Sequence, residues 1–112
     1  MNLSVDDVAQ AGEFYGTLLG LEPAPRPADA GRDGRWYALG DIELHLSLEP
    51  CAANAASKRH VAFEVDDLAS ARSRFERAGL PIEDGRPIAG LARFFVRDPA
   101  GNRLEFFARV PS

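Results

Sequence analysis

Cysteine is nearly absent from this sequence, and Cys51 is the only one among its 112 residues. A lone cysteine cannot form a disulfide within the chain, and it leaves no second thiolate for a zinc site built from cysteines. It lies in PCAANAAS, a run of small and polar residues that predicts a loop. We therefore expect no disulfide, no cysteine-bound metal and no catalytic thiol.

Long apolar runs and an excess of basic residues are missing as well. No run approaches the roughly 18 residues that span a bilayer, and the N-terminus lacks the basic-then-apolar pattern of a signal peptide. The 13 Lys and Arg residues are outnumbered by 17 Asp and Glu, which gives a net charge of -4. This balance disfavours a surface for nucleic acid or anionic lipid. The absences together predict a cytoplasmic protein that binds neither nucleic acid nor membrane.

The composition that remains is that of one ordinary globular domain. Hydrophobic residues make up 46% of the chain and charged residues 27%, without long blocks of one charge. A chain of this length can bury a real but modest core. We therefore treat residues 1–112 as a single domain.

A repeat organises the sequence. Residues 1–9 read MNLSVDDVA and residues 60–69 read HVAFEVDDLA, so that Val5 aligns with Val65. In both copies apolar residues alternate with polar ones, which predicts a strand with one buried face. Each half of the chain is therefore expected to begin with a strand.

A helix is predicted after each of these strands. The Asp-Asp pair that follows the strand is suited to capping a helix and to placing negative charge in its first turn. Apolar residues at helical spacing continue to Gly20 in the first half and to Gly79 in the second, where each helix should end. Tyr15 falls on the apolar stripe of the first helix, and we expect its ring in the core with its hydroxyl at the rim.

Further strands are predicted after each helix. A Pro-rich and Gly-rich stretch leads to WYALGDIELHLSL in the first half, and PIEDGRPIAG leads to LARFFVRDPAGNRLEFFARV in the second. Each long segment predicts two strands around a turn, and residues 22–25 and 81–84 can each add a short one. The sequence therefore predicts an α+β fold of two βαβββ modules in tandem, with residues 1–50, a linker at 51–58, and residues 59–112.

Polar side chains share one face of the predicted sheets. Period-two alternation places Glu43 and His45 away from the helices, and it places His60, Glu105 and Phe107 likewise in the second half. One interpretation is the wet side of an antiparallel sheet, where such residues are common. The alternative is a metal site, since the two glutamates look equivalent in IEL and LEF. Carboxylates and imidazoles are suitable ligands for Mn, Fe, Co, Ni or Zn, and the pattern alone leaves both interpretations open.

Four segments carry a resemblance to a known family. DDVAQAGEFYGTLLGL, GDIELHL, HVAFEVDDLASARSRFERAG and FFVRDPAGNRLEFF together resemble the vicinal oxygen chelate superfamily of glyoxalases, bleomycin-resistance proteins and extradiol dioxygenases. The resemblance runs across nearly the whole chain. It implies two βαβββ modules whose sheets form a cleft with a metal in it. Such a metal acts as a Lewis acid or as an iron that binds dioxygen.

The resemblance implies a ligand set for this chain. The family's first-strand ligand would fall before Met1, and the other three positions match Glu43, His60 and Glu105. The two glutamates are then also the candidate catalytic groups, and a divalent Ni, Zn, Mn, Co or Fe is the implied cofactor. His45 lies two residues after Glu43 on the same face, where it lines the pocket or substitutes as a ligand.

Aromatic residues are the expected walls of a substrate pocket, because such pockets are mostly apolar with a few fixed polar groups. Trp36 and Tyr37 point to opposite faces of their strand, so only one of them can line the pocket. The expected lining is His45, Trp36, Phe95 and Phe107. Arginines on these strands, such as Arg93, could hold an anionic group but are more often solvated.

Two classes of function follow from the resemblance. The first is a metal-dependent lyase, isomerase or transferase that acts on a small oxygenated substrate. The second is a metal-free protein that binds a small molecule, such as a drug, as in the bleomycin-resistance branch. A dioxygenase is less favoured, because its iron needs two histidines and a carboxylate and only His60 is a secure histidine.

A homodimer is expected in either case, because open sheets in a short chain leave edges unpaired and the cleft shallow. We also expect the natural chain to begin upstream of Met1, with a histidine just before it. On that expectation the sequence in hand has an incomplete site and binds metal weakly or not at all.

Overall fold

The computed structural model describes residues 1–26, 34–51 and 53–110. The mixed α+β fold predicted from the sequence is confirmed, with two four-stranded sheets. Positions 27–33, in the predicted Pro-rich and Gly-rich connection, lie outside the described residues. No helix in the described part of the chain has both the length and the apolar character needed to cross a membrane.

The elements of the first half are β1 (Asn2–Val5), α1 (Val8–Gly12), a π-helical turn (Glu13–Leu18), β2 (Glu22–Pro23), β3 (Gly34–Leu39) and β4 (Ile42–Leu48). A 3₁₀ turn follows at Asn54–Ala56. The elements of the second half are β5 (His60–Glu64), α2 (Leu68–Arg77), β6 (Glu83–Asp84), β7 (Leu91–Arg97) and β8 (Arg103–Arg109).

The two helices begin as predicted, but the first does not continue as a regular α-helix. Asp7 accepts a hydrogen bond from the Gln10 amide, and Asp67 accepts one from the Ser70 amide, at 3.0 Å each. After α1 the backbone widens into the π-helical turn, which places Phe14 and the next residue, Tyr15, both in the core. The spacing of apolar residues could not distinguish this wider turn from an α-helix.

Each sheet places its first strand at an edge. The strand order is β1-β4-β3-β2 in the first sheet and β5-β8-β7-β6 in the second. β1 runs parallel to β4, and β5 runs parallel to β8, while the other pairs are antiparallel. Both sheets turn an apolar face towards the helices, and the buried strand side chains there include Leu44, Leu46, Phe94, Leu104 and Phe106. The opposite faces are free to carry polar groups.

Tyr15 differs from expectation, because its hydroxyl is inside the core and not at the rim. The side chain is fully buried, and the hydroxyl donates a 2.5 Å hydrogen bond to Oδ2 of Asp98, which is itself 4% exposed. Burial, followed by the charge of Asp98 and the hydrogen bond to it, raises the pKa of the Tyr15 hydroxyl well above its usual range. The contact ties the first helix to the loop between β7 and β8.

This raised pKa predicts a loss of stability at alkaline pH. The unfolded chain releases the Tyr15 proton near pH 10, at about the usual pKa of tyrosine, whereas the folded chain keeps it. The contribution of Tyr15 to the free energy of unfolding is therefore fully present below that pH. Above it, the free energy of unfolding falls by up to about 1.4 kcal/mol per pH unit. Urea unfolding at several alkaline pH values should show a steeper decline for the wild type than for Tyr15→Phe. Parallel declines would contradict the assignment.

Candidate functional site

His60 and Glu105 come together on the polar face of the second sheet. His60 is the first residue of β5, and Glu105 lies in β8, where alternation along the strand turns both side chains away from the helices. The Nε2 atom of His60 is 3.3 Å from Oε1 of Glu105. Nη1 of Arg93, on β7, donates to the same oxygen at 3.1 Å. Glu105 is only 8% exposed, so the histidine and the arginine compensate a carboxylate that has little water around it.

The hydrogen bond on the other side of the His60 ring fixes its tautomer. Nδ1 lies 3.2 Å from the backbone oxygen of Lys58, and a carbonyl oxygen can only accept, so Nδ1 carries the proton. Nε2 of a neutral ring then presents a lone pair to the carboxylate of Glu105. Two acceptors at this distance repel each other unless a proton or a cation lies between them. A cation placed between Nε2 and Oε1 would therefore be bound by both atoms.

Phe95 forms the apolar wall of this group. Its ring meets the His60 ring edge-on, with the centroids 5.3 Å apart. The guanidinium carbon of Arg103 lies over the Phe95 ring, 3.7 Å from its centroid. Arg103 also pairs with Glu83 at 2.9 Å. Phe107 lies farther along β8 and is opposite Glu64 in the sheet register. Of the two predicted second-half aromatic residues, Phe95 is thus the one that touches the His60 ring.

A second polar group lies on the first sheet. Nε2 of His45 is 3.0 Å from Oε1 of Glu43, and the imidazole stacks on Trp36 with the rings 3.8 Å apart and nearly parallel. Of Trp36 and Tyr37, only one of which was expected to line the pocket, Trp36 lies on the polar face and Tyr37 is buried on the other side. Glu43 remains largely exposed. It does not join His60 and Glu105 within one chain.

The sheet register shows an equivalence that the sequence comparison missed. Asn2 pairs with His45, and Ala62 pairs with Glu105. Since the repeat aligns Val5 with Val65, Asn2 corresponds to Ala62, and His45 takes the place that Glu105 has in the second half. Matching IEL to LEF instead paired Glu43 with Glu105. The sequence match failed because it followed the similar letters of the two triplets, whereas the 60-residue offset of the repeat holds through β4 and β8 and pairs position 45 with position 105.

The residues of the second sheet fit part of a metal site. Two ligands about 2.1 Å from one Zn²⁺ lie roughly 3.0 to 3.4 Å apart, and His60 Nε2 and Glu105 Oε1 are separated by 3.3 Å. The described residues of one chain hold no group of three or more His, Cys, Asp or Glu that could bind a metal ion. One chain thus supplies two suitable donors.

A polar cleft opens beside this pair, between the edge strands β1 and β5. It has a volume of about 190 Å³. His60 and Arg103 line it from the second half, and Asn2 and Ser4 line it from the first. Nδ2 of Asn102 closes one end with a 2.8 Å hydrogen bond to the Ser4 carbonyl. The cleft gives a small polar molecule access to His60.

Comparisons with solved structures identify relatives that match over nearly their full length. A protein from Bacillus anthracis assigned to the glyoxalase family is 29% identical, with a TM-score of 0.87 over 97% of this chain and 91% of that one. A lactoylglutathione lyase from Agrobacterium tumefaciens is 27% identical, with a TM-score of 0.75 over 96% and 90%. An antibiotic-binding protein from Streptomyces is 19% identical and shares the fold, with a TM-score of 0.78 over 98% and 93%.

Family membership follows from the match to a family model. A comparison with curated protein sequences finds no match. The family model of the Glyoxalase/Bleomycin resistance protein/Dioxygenase superfamily, however, matches residues 1–106, almost the whole chain. The βαβββ topology of both halves agrees with it. The chain therefore belongs to the Glyoxalase/Bleomycin resistance protein/Dioxygenase superfamily.

Proposed function

We propose that this chain is a divalent-metal-dependent enzyme of the superfamily that acts on a small oxygenated molecule as a lyase, isomerase or transferase. The observation that carries the proposal is the pair of His60 Nε2 and Glu105 Oε1, 3.3 Å apart, with Nδ1 of the histidine held by the Lys58 carbonyl. That outer hydrogen bond is the usual support of a metal-binding histidine. The similarity to the lactoylglutathione lyase from Agrobacterium tumefaciens also supports an enzyme of this kind.

Each residue has a separate part in this proposal. His60 and Glu105 would hold the metal, which would supply Lewis-acid stabilisation of a substrate oxygen. Phe95 keeps water from one side of the His60 ring. Glu105 is also the candidate base, because a carboxylate beside the substrate can take up a proton. Arg93 orients the carboxylate through its 3.1 Å hydrogen bond.

The remaining ligands would come from the first sheet of a second copy. Glu43 and His45 form the polar group of that sheet, and they lie apart from His60 within the chain. A homodimer that faces one sheet with the other would bring a third and a fourth donor to the metal. Sedimentation should then show a dimer whose stability rises when Ni²⁺ or Zn²⁺ is added. A monomer at micromolar concentration with and without metal would contradict this arrangement.

A metal-free binding protein is the second candidate, and the contact between Arg93 and Glu105 favours it. The guanidinium occupies the carboxylate oxygen that a metal would need. His60, Glu105 and Arg93 would then form a hydrogen-bonded polar cluster at the cleft. Such a cluster can hold a polar ligand without any metal.

Metal titration of two variants tests the proposal. His60→Ala should weaken the binding of Ni²⁺, Co²⁺, Mn²⁺ or Zn²⁺ by about a hundredfold or more, because it removes a direct ligand. Glu64→Ala is the matched control, since Glu64 is on the same face of β5 but contacts Arg109 instead. Calorimetric titration should give wild-type affinity for the control. Equal curves for wild type and His60→Ala would make the metal-free binding protein the better interpretation.

A further inference from the structure

An apolar cavity of about 400 Å³ lies between the two halves of the molecule. It opens along the free edge of β5, on the side of the second sheet that faces the helices. Its lining does not include His60, Arg93 or Glu105, so it is separate from the site described above. Most of the residues that line it are apolar, among them Leu19, Leu39, Ile42, Phe63, Phe75 and Phe106.

The repeat explains why this cavity exists. The same alignment that matches Val5 with Val65 matches Tyr15 with Phe75. In the first half, Tyr15 donates to Asp98 from the β7–β8 loop, which fills the space beside β1. The corresponding turn between β3 and β4 has only two residues, 40–41, against the five residues, 98–102, of that loop. The shorter turn leaves the space beside β5 open, and Phe75 has no hydroxyl that would need a partner there.

The rim of the cavity carries a cation that is available to a ligand. Arg74, on α2, lines the cavity, and its Nη1 makes a long 3.4 Å hydrogen bond to the Leu18 carbonyl. It forms an ion pair with no carboxylate of the described residues. Glu64 also lies at the rim, but it pairs with Arg109 at 3.4 Å. The cavity therefore combines apolar walls with one guanidinium at its mouth.

We propose that this cavity binds a small amphipathic carboxylate, with its apolar body against Phe63, Phe75 and Phe106 and its carboxylate on Arg74. The volume falls within the range of about 300 to 1,000 Å³ typical of small-molecule sites. An unbranched aliphatic or simple aromatic acid suits it, because the walls offer hydrocarbon contact and the rim a single charge-assisted hydrogen bond. The inference does not depend on a metal at His60.

Octanoate and its uncharged analogue octanol are the probes for a test. Calorimetric titration of the wild type should show one octanoate bound per chain and about tenfold weaker binding of octanol, the difference expected for one charge-assisted contact. Arg74→Gln should remove that preference. Arg77→Gln is the matched control, because Arg77 is on the same helix but does not line the cavity.

A second variant fills the cavity. Ala71 lines it, and Ala71→Leu should abolish the binding of both probes while the protein keeps its cooperative thermal unfolding. Octanoate binding that survives Ala71→Leu, or an equal preference for octanoate in wild type and Arg74→Gln, would overturn the proposal. The proposal would also be overturned if the protein formed a dimer at rising concentration that neither bound octanoate nor dissociated when octanoate was added. A second copy would then cover the cavity.

Discussion

Asp98→Ala is expected to lower the free energy of unfolding by about 3 to 5 kcal/mol, because it leaves several buried donors without an acceptor. Oδ1 of Asp98 accepts from the amides of Ala100 and Asn102 at 3.0 and 2.8 Å. Oδ2 accepts from the Tyr15 hydroxyl and from Nδ2 of Asn102. Chemical denaturation, followed by circular dichroism, measures the change.

Asp41→Ala is the control for this substitution. Asp41 lies in the turn between β3 and β4 and is exposed, so its removal should change stability by less than about 0.5 kcal/mol. The Asp98→Asn variant, combined with Tyr15→Phe, isolates the pair in a double-mutant cycle, where we expect coupling of about 1 to 3 kcal/mol. Additive losses would show that the two side chains do not act together.

Arg93→Met is expected to tighten metal binding by about tenfold to a hundredfold if the proposed metal site exists. A guanidinium that lies 3.1 Å from Glu105 repels a divalent cation bound to the same carboxylate. Unit charges about 4 Å apart interact by about 4 kcal/mol at an effective dielectric constant near 20. Part of this gain is lost, because the buried carboxylate of Glu105 gives up a hydrogen-bond partner. Methionine keeps the length of the apolar stem.

Arg109→Met tests whether the effect is local. Arg109 is on β8 and contacts Glu64 and Phe107, so its removal changes the net charge equally without touching Glu105. Metal affinity should then rise by less than about threefold, as expected for a screened surface charge. If Arg93→Met leaves metal affinity unchanged or lowers it, the guanidinium is not a competitor of the metal. The polar cluster would then be the functional state.

The sequence predicted the repeat, the faces of the strands and the encounter of His60 with Glu105, because each depends on local alternation. It did not predict that His45 is the counterpart of Glu105, because the triplets IEL and LEF look more alike than the two strands do at the 60-residue offset that the sheet register shows. The burial of the Tyr15 hydroxyl was also missed, since its acceptor, Asp98, lies far along the chain. Contacts between the halves are decided by packing that no local pattern contains.

The stacked pair of Phe14 and Phe75, with ring centroids 6.1 Å apart, has a consequence for folding. The two halves repeat one topology, yet they share a single core, and Tyr15 adds a polar link across it. Neither half could keep its helix covered if the other separated. Amides in both sheets should therefore exchange with solvent deuterium only through one common opening of the whole molecule.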